Sequence, residues 1–331
     1  MKMQTLLALA AVASLAASAS AAPKKMDFDQ GVDVPAVVNA LKAEAAAQPG
    51  VTVQETAPAK TYTVSSTPRK YATGFVPHGD MSARSWRSYK DFQGDHMSQA
   101  IPDKYDLRPQ LTQIENQGAC GSCWAFSLTA TNRDGHALGA GDPGRLSQEW
   151  LVDNSPEAAG CNGGDFDSAN DFIKPKGEPL WKDCPYQTGS GSCPANLKPA
   201  ASITAWHMLG SQSTGPSVRD IETEMTISGK PVSIAIAAAA GDWMSYSGGV
   251  YNGCTQGQLD HMINIVGWDN EGASFDANGN LPPGKGVWIL RNSWGTGWGE
   301  DGTMRTKMTD AKGNRCNDVA EQAAFFDFAS K

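Results

Sequence analysis

No cysteine occurs in the first 119 residues of this 331-residue chain, although seven follow between Cys120 and Cys316. Histidine is scarce too: five in all, and only His136, His207 and His261 beyond residue 100. Any chemistry that needs an imidazole therefore has few candidates. Positive charge is in the minority, with 27 Lys and Arg against 35 Asp and Glu. From residue 101 onward the counts are 17 and 27, a net −10. A surface of that sign argues against nucleic acid or an anionic membrane as partner. There is no internal repeat. After the first two dozen residues no apolar run approaches the ~20 that a membrane span needs.

What is present divides the chain in three. Met1-Lys2, an apolar run from Leu6 to about Ala17 and the small residues Ala17-Ser18-Ala19-Ser20-Ala21 read as a secretory signal peptide cleaved after Ala21. The expected location is secreted or periplasmic, and the Ala-rich leader leans bacterial. Residues 22–100 follow. They contain one helix-like piece, with Asp33 as N-cap and Pro35 in the first turn, running through Ala47 to Pro49-Gly50. Alternating stretches at 51–54 and 62–65 come next, broken by Pro58 and Pro68. Such a stretch cannot bury a core of its own and must lean on something else. Its position in an exported chain points to a pro-segment rather than a linker, with cleavage near Gln99 to Ile101.

From Ile101 the chain reads as globular. Residues 123 to about 138 are apolar at helical spacing, and 146–154 and 166–174 read as shorter helices. Stretches 232–236, 249–251, 262–266 and 287–290 read as strands between glycine turns. Helices first and strands later imply an α+β protein of two lobes, helical over about 117–200 and β-rich over about 201–310.

Cysteines of an exported protein tend to pair, and seven leave one over. Cys123 sits at the apparent start of the first helix, where backbone N–H groups and the helix dipole favour a thiolate. Gln117 and a glycine turn precede it. His136 lies at the far end of the same helix, and His207 reads as a packed or surface residue. His261, at the mouth of a strand, is the remaining base. A base needs a third group to orient it. Asn292, in Arg291-Asn292-Ser293-Trp294-Gly295, can supply an amide, and Trp294 could cover the Asn–His bond from water.

These motifs together resemble the papain family of cysteine peptidases over about 101–331. They are Gln117-x5-Cys123-Trp124, Leu146-Ser147-Gln148-Glu149, Gly160-Cys161-Asn162-Gly163-Gly164, Asp260-His261 and Asn292-Ser293-Trp294-Gly-Thr-Gly-Trp298-Gly-Glu300. The resemblance implies a papain-like two-lobed fold with the site in the cleft between lobes. It implies Cys123 as nucleophile, His261 as general base and acid, Asn292 as its orienter, and an oxyanion hole from the Gln117 side chain and the Cys123 N–H. It implies Cys120–Cys161 and Cys254–Cys316 bridges. Asn154 stands where relatives usually carry a further cysteine, so Cys184 and Cys193 are expected to pair locally. Gly163 and Gly164 should pair with an extended substrate backbone. The main selectivity pocket maps to Phe166, Ala235, Asp260, Met262 and Glu321, with Glu321 as an acid that could accept arginine.

Asn292 follows the nucleophile at a longer interval than usual. An insertion at about 270–285, expected as a surface hairpin, accounts for it. Its acidic turn has the glycine in the wrong register for a calcium loop, so no metal is expected, and no cofactor. The expected activity is that of a secreted cysteine endopeptidase made as a zymogen. It would act as a monomer on proteins or peptides, with its own pro-segment as inhibitor. Acyl transfer or glutaminase-type chemistry on the same nucleophile, and a binding relative without catalysis, are the alternatives.

Overall fold

The computed structural model describes residues 60–67, 70–77, 81, 84–92, 100–156, 158–189 and 191–329. The expected leader and the helix expected over 33–47 lie outside these residues.

Four α-helices occur among the described residues: α1 (Cys123–Gly139), α2 (Gln148–Asn154), α3 (Phe166–Lys176) and α4 (Val218–Ser228). Local chemistry sets their starts. Ser147 accepts the Trp150 N–H, so α2 begins two residues later than its apolar pattern suggests. Asp165 and Ser168 form a reciprocal capping box on α3, as Ser217 and Asp220 do on α4. α4 was not expected in the strand-rich half. Its signal was legible in Ser217-x-x-Asp220 and in the left-handed Gly229 that ends it.

The strands are β1 (Tyr62–Val64), β2 (Trp86–Arg87), β3 (Lys104–Asp106), β4 (Glu178–Pro179), β5 (Pro199–Ala201), β6 (Ala205–Leu209), β7 (Val232–Ile236), β8 (Tyr246–Tyr251), β9 (His261–Asp269), β10 (Val287–Arg291), β11 (Thr303–Lys307) and β12 (Gln322–Asp327). All but the β4–β5 pair join one sheet in the order β1-β8-β11-β10-β9-β7-β12-β6-β2, with β3 also paired to β9. Two strands of this sheet, β1 and β2, come from the segment upstream of residue 101. The four stretches read as strands from sequence lie within β7, β8, β9 and β10. The 270–285 insertion is no hairpin, because no strand pairing forms there. Asp276 instead turns the chain, accepting the N–H groups of Asn278 and Asn280. The loop rests on the start of α4, where Arg219 N–H donates to the Gly279 carbonyl.

Two apolar cores result. One fills the β-rich lobe around Trp243, Tyr251, Trp268 and Trp298. The other joins α1, α2 and α3 through Trp124, Leu128, Trp150 and Phe166. The seam between them is polar and densely hydrogen-bonded around α1. Ser127 donates to the Ile263 carbonyl and meets Ser233, while the Asn264 amide reaches Ser127 O and Thr131 Oγ1. At its far end the buried Arg291 guanidinium binds Asp134, with further donors to Gln113 O and Thr112 Oγ1. Thr112 in turn donates twice to Asp134.

A buried charge left without its partner costs about 3–5 kcal/mol, whereas replacing both partners by apolar groups costs little. Asp134→Asn should lower unfolding stability by about 3 kcal/mol, and Asp134→Leu with Arg291→Met by much less. Urea unfolding of the three proteins checks this; equal losses in both variants would remove the ion pair as the cause.

Candidate active site

Cys123 is the first residue of α1 and His261 the first of β9, so the polar seam that docks α1 on β9 also fixes where these two residues stand. Both are fully buried. The Cys123 sulfur faces the backbone amides of Met262, Gly74 and Trp124, which places it at the mouth of β9. Among the described residues three bridges form, Cys120–Cys161, Cys184–Cys193 and Cys254–Cys316, and Cys123 is the free thiol.

The tautomer of His261 follows from its neighbours. The Ser293 N–H donates to Asn292 Oδ1 at 2.7 Å, which fixes that amide oxygen as an acceptor. Oδ1 lies 2.9 Å from His261 Nε2, so Nε2 carries the proton. Nδ1 is left as the acceptor, buried and without a hydrogen-bond partner among the described residues. Trp294 stacks on the imidazole at 4.6 Å and covers this bond from solvent.

Gln117 is positioned from both ends. Its Oε1 accepts from Ser293 Oγ at 2.7 Å, which turns Nε2 toward the cleft. Nε2 donates to the carbonyls of Ala72 and Cys120. Sequence reasoning did not single out Ser293 as an orienter, although it lies inside the Asn-Ser-Trp motif. Tyr186, which links Ser122 to the Gln117 carbonyl, carried no signal at all.

The cleft is filled by the chain's own residues 71–76. Tyr71 stacks on Trp294 at 4.4 Å. The Ala72 carbonyl accepts from both Gln117 Nε2 and Trp294 Nε1. Gly74 and Phe75 donate their N–H groups to the Asp260 carbonyl, and Gly164 exchanges hydrogen bonds with Gly74 and Val76. Phase and direction follow: Phe75 bridges Gly164 in parallel, and its ring meets Phe166 edge-on at 5.8 Å. The Gly74 N–H, donated to the Asp260 carbonyl, also lies beside the Cys123 sulfur. Gly74 is required here, since a Cβ on it would lie 1.9 Å from the Gly121 carbonyl oxygen.

Of the expected pocket residues, Phe166, Ala235 and Met262 lie in the apolar cluster that receives Phe75. Gly163 borders Val76. Asp260 contributes its carbonyl, while its carboxylate holds the N–H groups of Ala238 and Ala239. Glu321 does not join them. It is exposed, its carbonyl packs at Gly215, and its charge acts on Arg315, whose guanidinium is tied to the carbonyls of Pro216, Val319 and Ala320. Its neighbours Ala320 and Gln322 pair with Ala235, and Ala324 of β12 belongs to the cluster. His136 meets the Ser202 carbonyl, and His207 is buried between Glu224 and Asp327.

The sequence profile of the papain family cysteine proteases matches residues 101–326. The KDEL-tailed cysteine endopeptidase CEP2 of Arabidopsis thaliana is 31% identical over 80% of this chain and 70% of its own length. RD21B of the same plant, named as a probable cysteine protease, is 33% identical over 68% of this chain, which spans only 46% of that relative. Among solved structures, digestive procathepsin L2 from the Tenebrio molitor larval midgut superposes with a TM-score of 0.64 at 25% identity, covering 98% of this chain and 99% of that one. These relatives are plant and insect proteins and lend no support to a bacterial origin.

Two outcomes test the closed cleft. Gly74→Ala should weaken closure by about tenfold or more, since displacing backbone by even 1.4 kcal/mol has that effect. The rate of Cys123 alkylation in the full chain measures it, and an unchanged rate would show that the close approach does not matter. Burial holds the His261 imidazole down to about 4 from an ordinary 6.5, against the Asn292 hydrogen bond. Burial likewise pushes the Cys123 thiol up to about 12 from 9.0, against the Met262, Gly74 and Trp124 amides. An exposed imidazole gains a proton below 6.5 that the buried one refuses, and an exposed thiol loses one above 9.0 that the buried one keeps. Closure is therefore strongest between these values and weakens on either side. Alkylation, corrected for intrinsic thiol reactivity, should rise roughly tenfold per pH unit below 6.5 until near 4; a flat profile would contradict the sealed neutral pair.

Proposed function

Because this chain belongs to the papain family of cysteine proteases, we propose that it is a secreted or periplasmic cysteine endopeptidase made as a zymogen. The leader is 1–21, the inhibitory pro-segment 22–100 and the peptidase 101–331. Proform structures among the neighbours support a pro-segment, and residues 71–76 lying over Cys123 support its inhibitory role. The Ala-rich leader is the sole basis for a bacterial source.

The observation that carries the chemistry is the His261 ring, whose Nε2 proton is held by Asn292 while Nδ1 stays unpartnered in a buried site. Nδ1 takes the Cys123 proton once the cleft opens, giving the thiolate that is the reactive nucleophile. The sulfur adds to a peptide carbonyl carbon. The oxygen of that carbonyl becomes an oxyanion held by Gln117 Nε2 and the Cys123 N–H, in the manner that Gln117 now holds the Ala72 carbonyl. Collapse breaks the C–N bond, and the His261 proton goes to the leaving amine. The thioester left on Cys123 is then hydrolysed by a water that gives its proton to Nδ1. The substrate backbone would take the Gly164 and Asp260 hydrogen bonds, with an apolar side chain against Phe166, Ala235 and Met262. The monomer supplies every residue this needs.

Gln117→Ala should lower kcat by about 10²–10³ with little change in KM, the loss expected for one oxyanion donor. Steady-state hydrolysis of a peptide amide with Leu beside the cleavage-site residue measures it. A rise in KM alone would assign Gln117 to ground-state binding instead.

A further inference from the structure

The pro-segment leaves a second imprint, nine residues beyond Phe75. Arg84 is almost wholly buried, its side chain 4% exposed. Its Nη2 donates to Asp165 Oδ2 at 2.9 Å and to Asp167 Oδ2 at 2.6 Å, and its Nε to Asp167 Oδ2 at 2.9 Å. The third nitrogen, Nη1, rests near the sulfurs of Met81 and Met208. Two carboxylates thus grip one guanidinium through its planar fork, a geometry that an ammonium cannot reproduce.

The site is built by the peptidase domain, not by the arginine. Asp165 is the N-cap of α3, and its Oδ1 is committed to the N–H groups of Asp167 and Ser168. That cap fixes Oδ2 in place for the guanidinium. Phe166 stands between the two acids and forms the wall against which Phe75 packs. The carboxylate pair therefore lies at the edge of the apolar pocket, on the same side of the cleft as Gly164. Removal of residues 22–100 takes away the cation and leaves a pre-shaped pair of carboxylates beside the substrate track.

Resting on the peptidase reading above, we infer that Asp165 and Asp167 form a guanidinium subsite in the mature cleft, selecting peptides with an arginine close to the apolar residue that fills the Phe75 pocket. Both acids stand at the start of α3. Arginine is favoured over lysine because the pair accepts three N–H donors along one edge.

The test compares matched peptides carrying Arg or its neutral isostere citrulline at each of the three residues before the cleavage-site residue, assayed on the enzyme after the pro-segment has been removed. At one position kcat/KM should favour Arg by about tenfold, equivalent to about 1.4 kcal/mol. Asp167→Asn should bring that ratio to about one while leaving citrulline peptides within a few-fold of the parent. Asp165 is left intact because it caps α3, and a thermal melt confirms that the Asp167→Asn protein is folded. A ratio near one in the parent at all three positions, or a ratio that survives Asp167→Asn, overturns the subsite and leaves the peptidase reading standing. No turnover of either peptide, with Cys123 unreactive toward an epoxide, overturns both.

Discussion

The polar seam between the two lobes is the constraint on which the site depends. Cys123 begins a helix, His261 begins β9 and Asn292 follows β10, so nothing in any one element brings them together. The buried Arg291–Asp134 pair, with Thr112 and Gln113 around it, locks α1 to the residue immediately before Asn292. Ser127, Thr131 and Asn264 do the same work nearer the cleft. Apolar packing would hold two surfaces together but would tolerate sliding. Paired buried polar groups do not, because any shift leaves one of them unsatisfied. The precision of the site is thus set away from it.

The same economy appears in the motif around Asn292. Ser293 donates its backbone N–H to Asn292 and its hydroxyl to Gln117, so one residue holds both amide side chains. Trp294, the next residue, covers the imidazole and also donates to the segment lying in the cleft. Three consecutive residues thus hold the imidazole, the Gln117 amide and the segment in the cleft. While residues 71–76 are in place, burial keeps thiol and imidazole neutral.

Much of this was legible in the sequence where short-range chemistry decides the outcome. α1, α2 and α3 could be placed from apolar spacing, and β7 and β9 from runs of branched residues. Cys123, His261 and Asn292 stood out by residue type and by the scarcity of histidine. Where long-range packing decides, reading failed. Glu321, expected in the pocket from its distance to Cys316, lies exposed in the turn before β12. The 270–285 insertion lacks cross-strand partners and folds as a loop on α4. α4 itself was overlooked because its capping box was not weighed against the strands around it.

By itself the sequence determined the chemical types available: one unpaired thiol, one plausible base, an amide to orient it and a segment upstream able to cover them. It could do so because these depend on residue identity and on local backbone preference. Only the tertiary structure decided which atoms face one another. The His261 tautomer rests on a hydrogen bond across 31 residues, and the grip of Asp165 and Asp167 on Arg84 spans more than 80. Contacts at such separation are made by the packing of whole elements, which no local pattern encodes.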